Sequence, residues 1–194
     1  LSRERYQWLF KQYTNHSTAN EFTHELIKLM QRYHPRTTRH NPQGLVSKTT
    51  NQWALPHCLS SAIHASFNTT CELFASPLNS SMNPRVDYCS AFQEDTVFGA
   101  HFDAFSYRLT GSCLANPEYE PEDMRKIVLH ALACSTEFTT PLLVVLILPA
   151  WEDSPWRTQS ILSHPNLTTL VHLPANQLKF VPTHTQLDAD LDVS

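Results

Sequence analysis

Apolar positions recur at helical spacing early in the chain and in short runs further on, and the two patterns alternate. Tyr6, Leu9, Phe10 and Tyr13 predict a helix over residues 3–16. Phe22, Leu26, Leu29, Met30 and Tyr33 predict a second, with Thr18 and Glu21 spaced as a capping box. A third opens at Leu55-Pro56, with proline in its first turn and Leu59, Ile63 and Phe67 on one side. It ends at Asn68-Thr69-Thr70. Cys71 to Ala75 reads as a strand, stopped by Ser76-Pro77-Leu78-Asn79. Residues 90–105, with Phe92, Phe98, Phe102 and Phe105, hold a strand and a loop. Gly111 to Ala115 reads as the next strand. Pro121 starts a helix with Glu122 and Asp123 in its first turn and Met124, Ile127, Val128, Ala131 and Leu132 inward. Leu142 to Leu148 is a near-continuous apolar run, the pattern of a central strand covered on both faces. A short helix near Trp156 to Leu162 and a strand over Leu167 to Leu173 complete the list.

Strands alternating with helices predict an α/β fold with a mostly parallel sheet. The expected organisation is a helical annex and basic loop over residues 1–50, a core over 51–181 and a flexible acidic tail over 182–194. At 194 residues and 41% hydrophobic content the chain is long enough for one domain with a real core.

Composition narrows the chemistry. Three glycines against 13 prolines leave no Gly-rich phosphate loop. A net charge of -4 does not advertise nucleic-acid binding, so a basic footprint has to be local. The cations of residues 31–50 supply one: Arg32, Arg36, Arg39 and Lys48 form the densest basic stretch. It reads either as a phosphate-contacting patch or as a solvated loop. Five cysteines, none spaced C-x-x-C, and 11 scattered histidines read as reduced thiols and no metal site. Four N-x-[ST] sequons are read as chance, since no signal peptide opens the chain. The longest apolar run, 141–150, is too short to span a bilayer. The abrupt start at Leu1 reads as one piece of a longer protein.

The most informative stretch is Leu114-Ala115-Asn116-Pro117-Glu118-Tyr119, between a strand and a helix start. In an open α/β sheet, ligands bind at the carboxyl ends of strands. The side-chain oxygen of Asn116 and the carbonyl of Pro117 can accept from an exocyclic amino group, and Tyr119 can stack on a flat base. The loops Ser76–Asn79 and Pro149–Trp151 should reach the same sheet edge, each stiffened by proline.

Several ordered segments then carry a resemblance: Glu72-Leu73-Phe74-Ala75-Ser76-Pro77-Leu78-Asn79, Tyr88-Cys89-Ser90-Ala91-Phe92, Phe98-Gly99, Gly111-Ser112 with Ala115-Asn116-Pro117, and Pro149-Ala150-Trp151. From about Trp53 to about Pro174 the chain resembles the methyltransferase domain of the phosphorylated CTD-interacting factor family. These are cap-specific adenosine-N6 methyltransferases acting on a 2′-O-methyladenosine beside the mRNA cap. The resemblance implies a Rossmann-like methyltransferase core, S-adenosyl-L-methionine as donor, capped mRNA as partner and a nuclear location, with a cytoplasmic one left open. It places Asn116, Pro117 and Tyr119 at the adenine, and Glu72, Phe74, Ser76, Pro77 and Asn79 near the donor. Arg32, Arg36, Arg39, Lys48 and Trp151 are the expected RNA contacts.

Three departures qualify it. Glu118 stands where the family's Asn-Pro-Pro-Phe motif has its second proline, and Tyr119 replaces phenylalanine. The chain also ends before the closing strands of such a domain, so a partner protein or further segment would complete the sheet. No tandem-Trp module is present. The alternatives left open are an inactive relative that binds RNA or acts as a scaffold, and an adenosine dimethyltransferase.

Overall fold

The computed structural model of the chain describes residues 1–33, 39–40, 46–47, 53–137, 141–149, 151–169, 171–174 and 181–182. The helices are α1 (Arg3–His16), α2 (Phe22–Tyr33), α3 (His57–Phe67), α4 (Pro121–Glu137) and α5 (Gln159–Leu162). The strands are β1 (Arg39–His40), β2 (Val46–Ser47), β3 (Trp53–Ala54), β4 (Cys71–Glu72), β5 (Asp87–Ser90), β6 (His101–Phe102), β7 (Gly111–Ala115), β8 (Leu142–Leu146) and β9 (Val181–Pro182).

Five strands form one sheet in the order β6-β5-β4-β7-β8, every neighbouring pair parallel. The chain therefore winds outward from β4 through β5 to β6, then returns to β4's other side and winds outward again. This is the doubly wound order, and its direction reverses between β4 and β7. Two antiparallel pairs stand apart from the sheet, β1 with β2 and β3 with β9.

Strand periodicity sorts the side chains by face. Cys71, Leu73, Cys113, Ala115, Leu142, Val144 and Leu146 pack with Ile127 and Cys134 of α4. Leu114, Val145 and Ile147 pack with Ile63, Leu59 and Phe67 of α3. A third cluster joins Leu9, Tyr13, Phe22 and Leu29 of α1 and α2 to Leu78 and Phe98. The N-terminal helices are thus built into the same body as the sheet. Each fully buried Leu or Phe there contributes on the order of 2 kcal/mol. Gly99, left-handed at φ 85°, ends the 3-10 helix Gln93–Phe98 where α1 crosses it. A Cβ there would meet His16 Nε2 at 2.9 Å, so this crossing requires glycine.

Helix α3 starts after Pro56 and ends on left-handed Asn68, a cap that asparagine tolerates. Elsewhere the local signals misled. The Glu21 carbonyl accepts from the Glu25 amide, so α2 begins at Phe22 and the Thr18–Glu21 capping box does not form. In α1 only Leu9 and Tyr13 are buried, while Tyr6 and Phe10 are exposed and lie edge-on to Phe22. β8 is the outermost strand of the sheet among the described residues, not a central one, and Leu143 is 44% exposed. An apolar run says nothing about ladder position, and at Leu143 it does not mark a covered face either. Residues 167–169 and 171–173 form no strand, and Val171 and Leu173 are exposed. Most of the basic loop and residues 183–194 of the acidic tail lie outside the described residues.

Candidate active site

The sheet's direction reverses between β4 and β7, and the expected site loops leave these two strands. Glu72 is in register with Leu114, and the Leu73 amide donates to the Leu114 carbonyl at 2.8 Å. Phe74 and Asn116 therefore start from the same edge, on strands roughly 4.8 Å apart. The third loop follows β8, where the Ile147 amide donates to the Ala115 carbonyl at 2.9 Å.

The loop after β4 is heavily tied. Glu72 Oε1 lies 2.8 Å from His64 Nε2 of α3, and its Oε2 accepts from the Ser81 amide at 2.7 Å. Asn79 Oδ1 accepts from the Ser76 amide and hydroxyl, at 2.7 and 3.0 Å. Ser76 Oγ in turn accepts from the Leu78 amide. Arg5 of α1 reaches across to donate to the Ser80 carbonyl at 2.7 Å and the Pro77 carbonyl at 3.4 Å. Burial pulls the Arg5 pKa down to about 10, opposed mainly by the charge of Glu72, so it stays cationic at neutral pH. Ser76 and Pro77 are buried, whereas Phe74 and Asn79 are half-buried. Of the five residues expected near a donor, Glu72, Ser76, Pro77 and the Asn79 oxygen thus build the turn, while the half-buried Phe74 and Asn79 also offer surface at the edge.

The loop after β7 carries a short-range hydrogen bond of its own. Tyr119 donates its hydroxyl to Asn116 Oδ1 at 2.9 Å. The Tyr119 ring meets Trp151 edge-on, centroids 6.4 Å apart at 82°. Trp151 is 48% exposed, so an aromatic corner opens to solvent beside Asn116. Burial raises the Tyr119 pKa, keeping the phenol protonated. Pro117 is buried; Glu118 lies on the solvent side. Partial desolvation raises the Glu118 pKa, with Asp123 and Glu120 adding like charge.

Sequence reasoning missed the polar knot behind the first loop. Asp95, 0% exposed, accepts from Arg32 Nε and Nη2 at 3.1 and 2.7 Å. Tyr33 donates to its other oxygen at 2.6 Å, and Ser90 bonds the same atom. Arg32 also sits 5.7 Å from the Phe92 ring. Its guanidinium is thus committed to an ion pair that anchors α2 to the end of β5, and it is not an open phosphate contact. The Arg32–Asp95 pairing spans 63 residues, beyond any local pattern. Of the other expected RNA contacts, Arg36 and Lys48 lie outside the described residues, and Arg39 stands in β1.

A cleft of about 330 Å³ lined by Asn68, Thr70, Ser112 and Leu143 lies at the amino ends of β7 and β8. That is the opposite edge from the loops. Among the described residues no group of three or more His, Cys, Asp or Glu side chains could hold a metal. Within the same residues no helix is long and apolar enough to cross a membrane.

Against this geometry, known proteins are informative. The profile of the family described as phosphorylated CTD interacting factor 1 WW domain matches residues 5–181. That label names a small proline-recognition module; the described part of the span carries the parallel sheet instead. The chain is 34% identical over 114 residues to human mRNA (2'-O-methyladenosine-N(6)-)-methyltransferase, covering 58% of this chain and 16% of that protein. It is 33% identical to the mouse protein of the same name over the same shares. The matched region thus spans only 16% of the length of these curated relatives.

Proposed function

Since the chain belongs to the phosphorylated CTD interacting factor 1 family, we propose that its sheet is a Rossmann-like core of an RNA adenosine-N6 methyltransferase. The donor is S-adenosyl-L-methionine and the acceptor the 2′-O-methyladenosine beside an mRNA cap. One observation carries the reading: Asn116, Pro117 and Tyr119 emerge beside the Phe74–Asn79 turn, where the strand order reverses. The names of the human and mouse relatives supply the acceptor. The location proposed with it is nuclear, where mRNA is capped.

The edge suits the donor's chemistry. Phe74, Asn79 and the partly exposed Phe92 present aromatic and amide surface at the ends of β4 and β5, and both Glu72 oxygens are engaged. The donor, once bound, supplies an electrophilic methyl on a sulfonium. The chain's own residues position the acceptor. Asn116 Oδ1 and the Pro117 carbonyl accept from the adenine amino group, drawing its nitrogen out of conjugation and aiming its lone pair. Tyr119 and Trp151 cover the ring faces. With the donor held beside Phe74 and Asn79, Asn116 and Pro117 would set the adenine nitrogen in line with that methyl. The amine then loses its proton past Asn116 to water, so no strongly shifted base is required. Arg36, Arg39 and Lys48 are the cations proposed to contact RNA phosphates.

Glu118 favours a second reading, a non-catalytic relative that binds RNA, because a carboxylate replaces a rigid ring beside the site. Calorimetry with S-adenosyl-L-methionine, and mass spectrometry of nucleosides from capped RNA after incubation, separate the two. Donor binding with N6-methylation supports the enzyme; RNA binding without donor affinity rejects it.

A further inference from the structure

The loop after β7 lacks the proline that would stiffen it, yet its side chains close it another way. The Tyr119 hydroxyl reaches back three residues to Asn116 Oδ1 and bridges the position of Glu118. We propose that Tyr119 is a positioning residue whose hydrogen bond to Asn116 takes over the orienting role of a second proline in this loop. The inference rests on the methyltransferase reading for its catalytic consequence, but the clamp itself is a property of the loop.

The physical case has three parts. The terminal torsion of an asparagine is broad and roughly two-fold, so Asn116 alone does not fix which way its oxygen faces. The hydroxyl of Tyr119, donating to Asn116 Oδ1 at 2.9 Å, tethers the side chain with its oxygen on the Tyr119 side. An amide oxygen accepts two donors, so bonding Tyr119 and receiving an amino group are compatible. Second, the clamp is itself held. The Tyr119 ring is half-buried, meets Trp151 edge-on, and its phenol stays protonated. Third, the position bridged is the one where the backbone has lost its constraint. Proline at 118 would fix φ there and restrict Pro117. Glu118 does neither and projects toward solvent. A phenylalanine at 119 would keep the ring face and lose the clamp, so the two departures from Asn-Pro-Pro-Phe compensate each other.

The test is a rescue cycle on the intact chain. Tyr119→Phe lowers kcat about tenfold with KM for capped RNA and donor affinity within about twofold, since orientation and not binding is lost. Adding Glu118→Pro in that background restores most of the loss. A Tyr119→Phe variant with unchanged kcat, or one that Glu118→Pro fails to rescue, overturns the clamp. Should the wild-type chain methylate no RNA, the functional reading fails and the clamp is read by unfolding instead. Asn116→Ala and Tyr119→Phe then couple by about fivefold in the unfolding constant, the size of one hydrogen bond. Additivity of the two would reject it.

Discussion

The two loops that flank the reversal of the sheet are built by opposite means. The loop after β4 is fixed by residues from everywhere: His64 in α3, Arg5 in α1, and its own Ser76 and Asn79. Behind it, Asp95 binds α2 to the end of β5. The loop after β7 is closed by Tyr119 on Asn116, three residues apart, and flanked by an exposed tryptophan. The first rim is held by contacts distant in sequence; the second includes a contact between residues three apart. Variation in acceptor chemistry should therefore accumulate in the second loop, while changes in the first are read as loss of stability.

The contrast can be broken, most severely at Asp95. Asp95→Ala leaves the Arg32 cation without its buried partner and should cost about 3–5 kcal/mol by denaturant unfolding. A loss below about 1 kcal/mol would mean the first rim does not depend on α2. Asn116→Ala should do the reverse, lowering turnover about 100-fold or more while donor affinity and melting temperature hold. Retained turnover would remove Asn116 from the chemistry. Arg5→Ala should cost about 2 kcal/mol, since two carbonyls lose a charged donor, and should weaken donor binding before it touches the second loop. Equal damage to both loops would erase the distinction. The mildest test is alkaline. Burial raises the pKa of Tyr33, with Asp95 adding to it, and burial raises that of Tyr88. Their contribution is complete below the unfolded value of about 10 and is lost as pH climbs through the raised folded values. The buried Cys71 and Cys113 thiols, also raised, begin a decline above about pH 8.5, and above about pH 10 the midpoint of Tyr33→Phe should fall less steeply than that of the wild type. An unchanged slope would show that the phenols do not report on the first rim.

Part of this was legible in the chain. Gly111–Ala115 reads as a strand and forms one, because Pro121 and a helix signal mark its limits. From that strand's end alone, Asn116 to Tyr119 fall at a carboxyl edge. The rest depended on contacts no window contains. Arg32 reads as a free cation until Asp95 is brought to it. β8 reads as central because its residues are apolar on both faces, yet ladder order is set by what pairs beside it. Tyr119 reads as a stacking ring, since Asn-Pro-Glu-Tyr does not specify a turn that lets its hydroxyl meet Asn116.

The reach of Arg5 has a further consequence. Its carbonyl partner at Ser80 lies 75 residues along the chain. Closing so long a loop is costly in entropy, and nothing rewards it until α1 has docked. During refolding the first rim should therefore gain hydrogen-exchange protection in step with the amino-terminal helix, whereas the short Asn116–Tyr119 turn can form before either arrives.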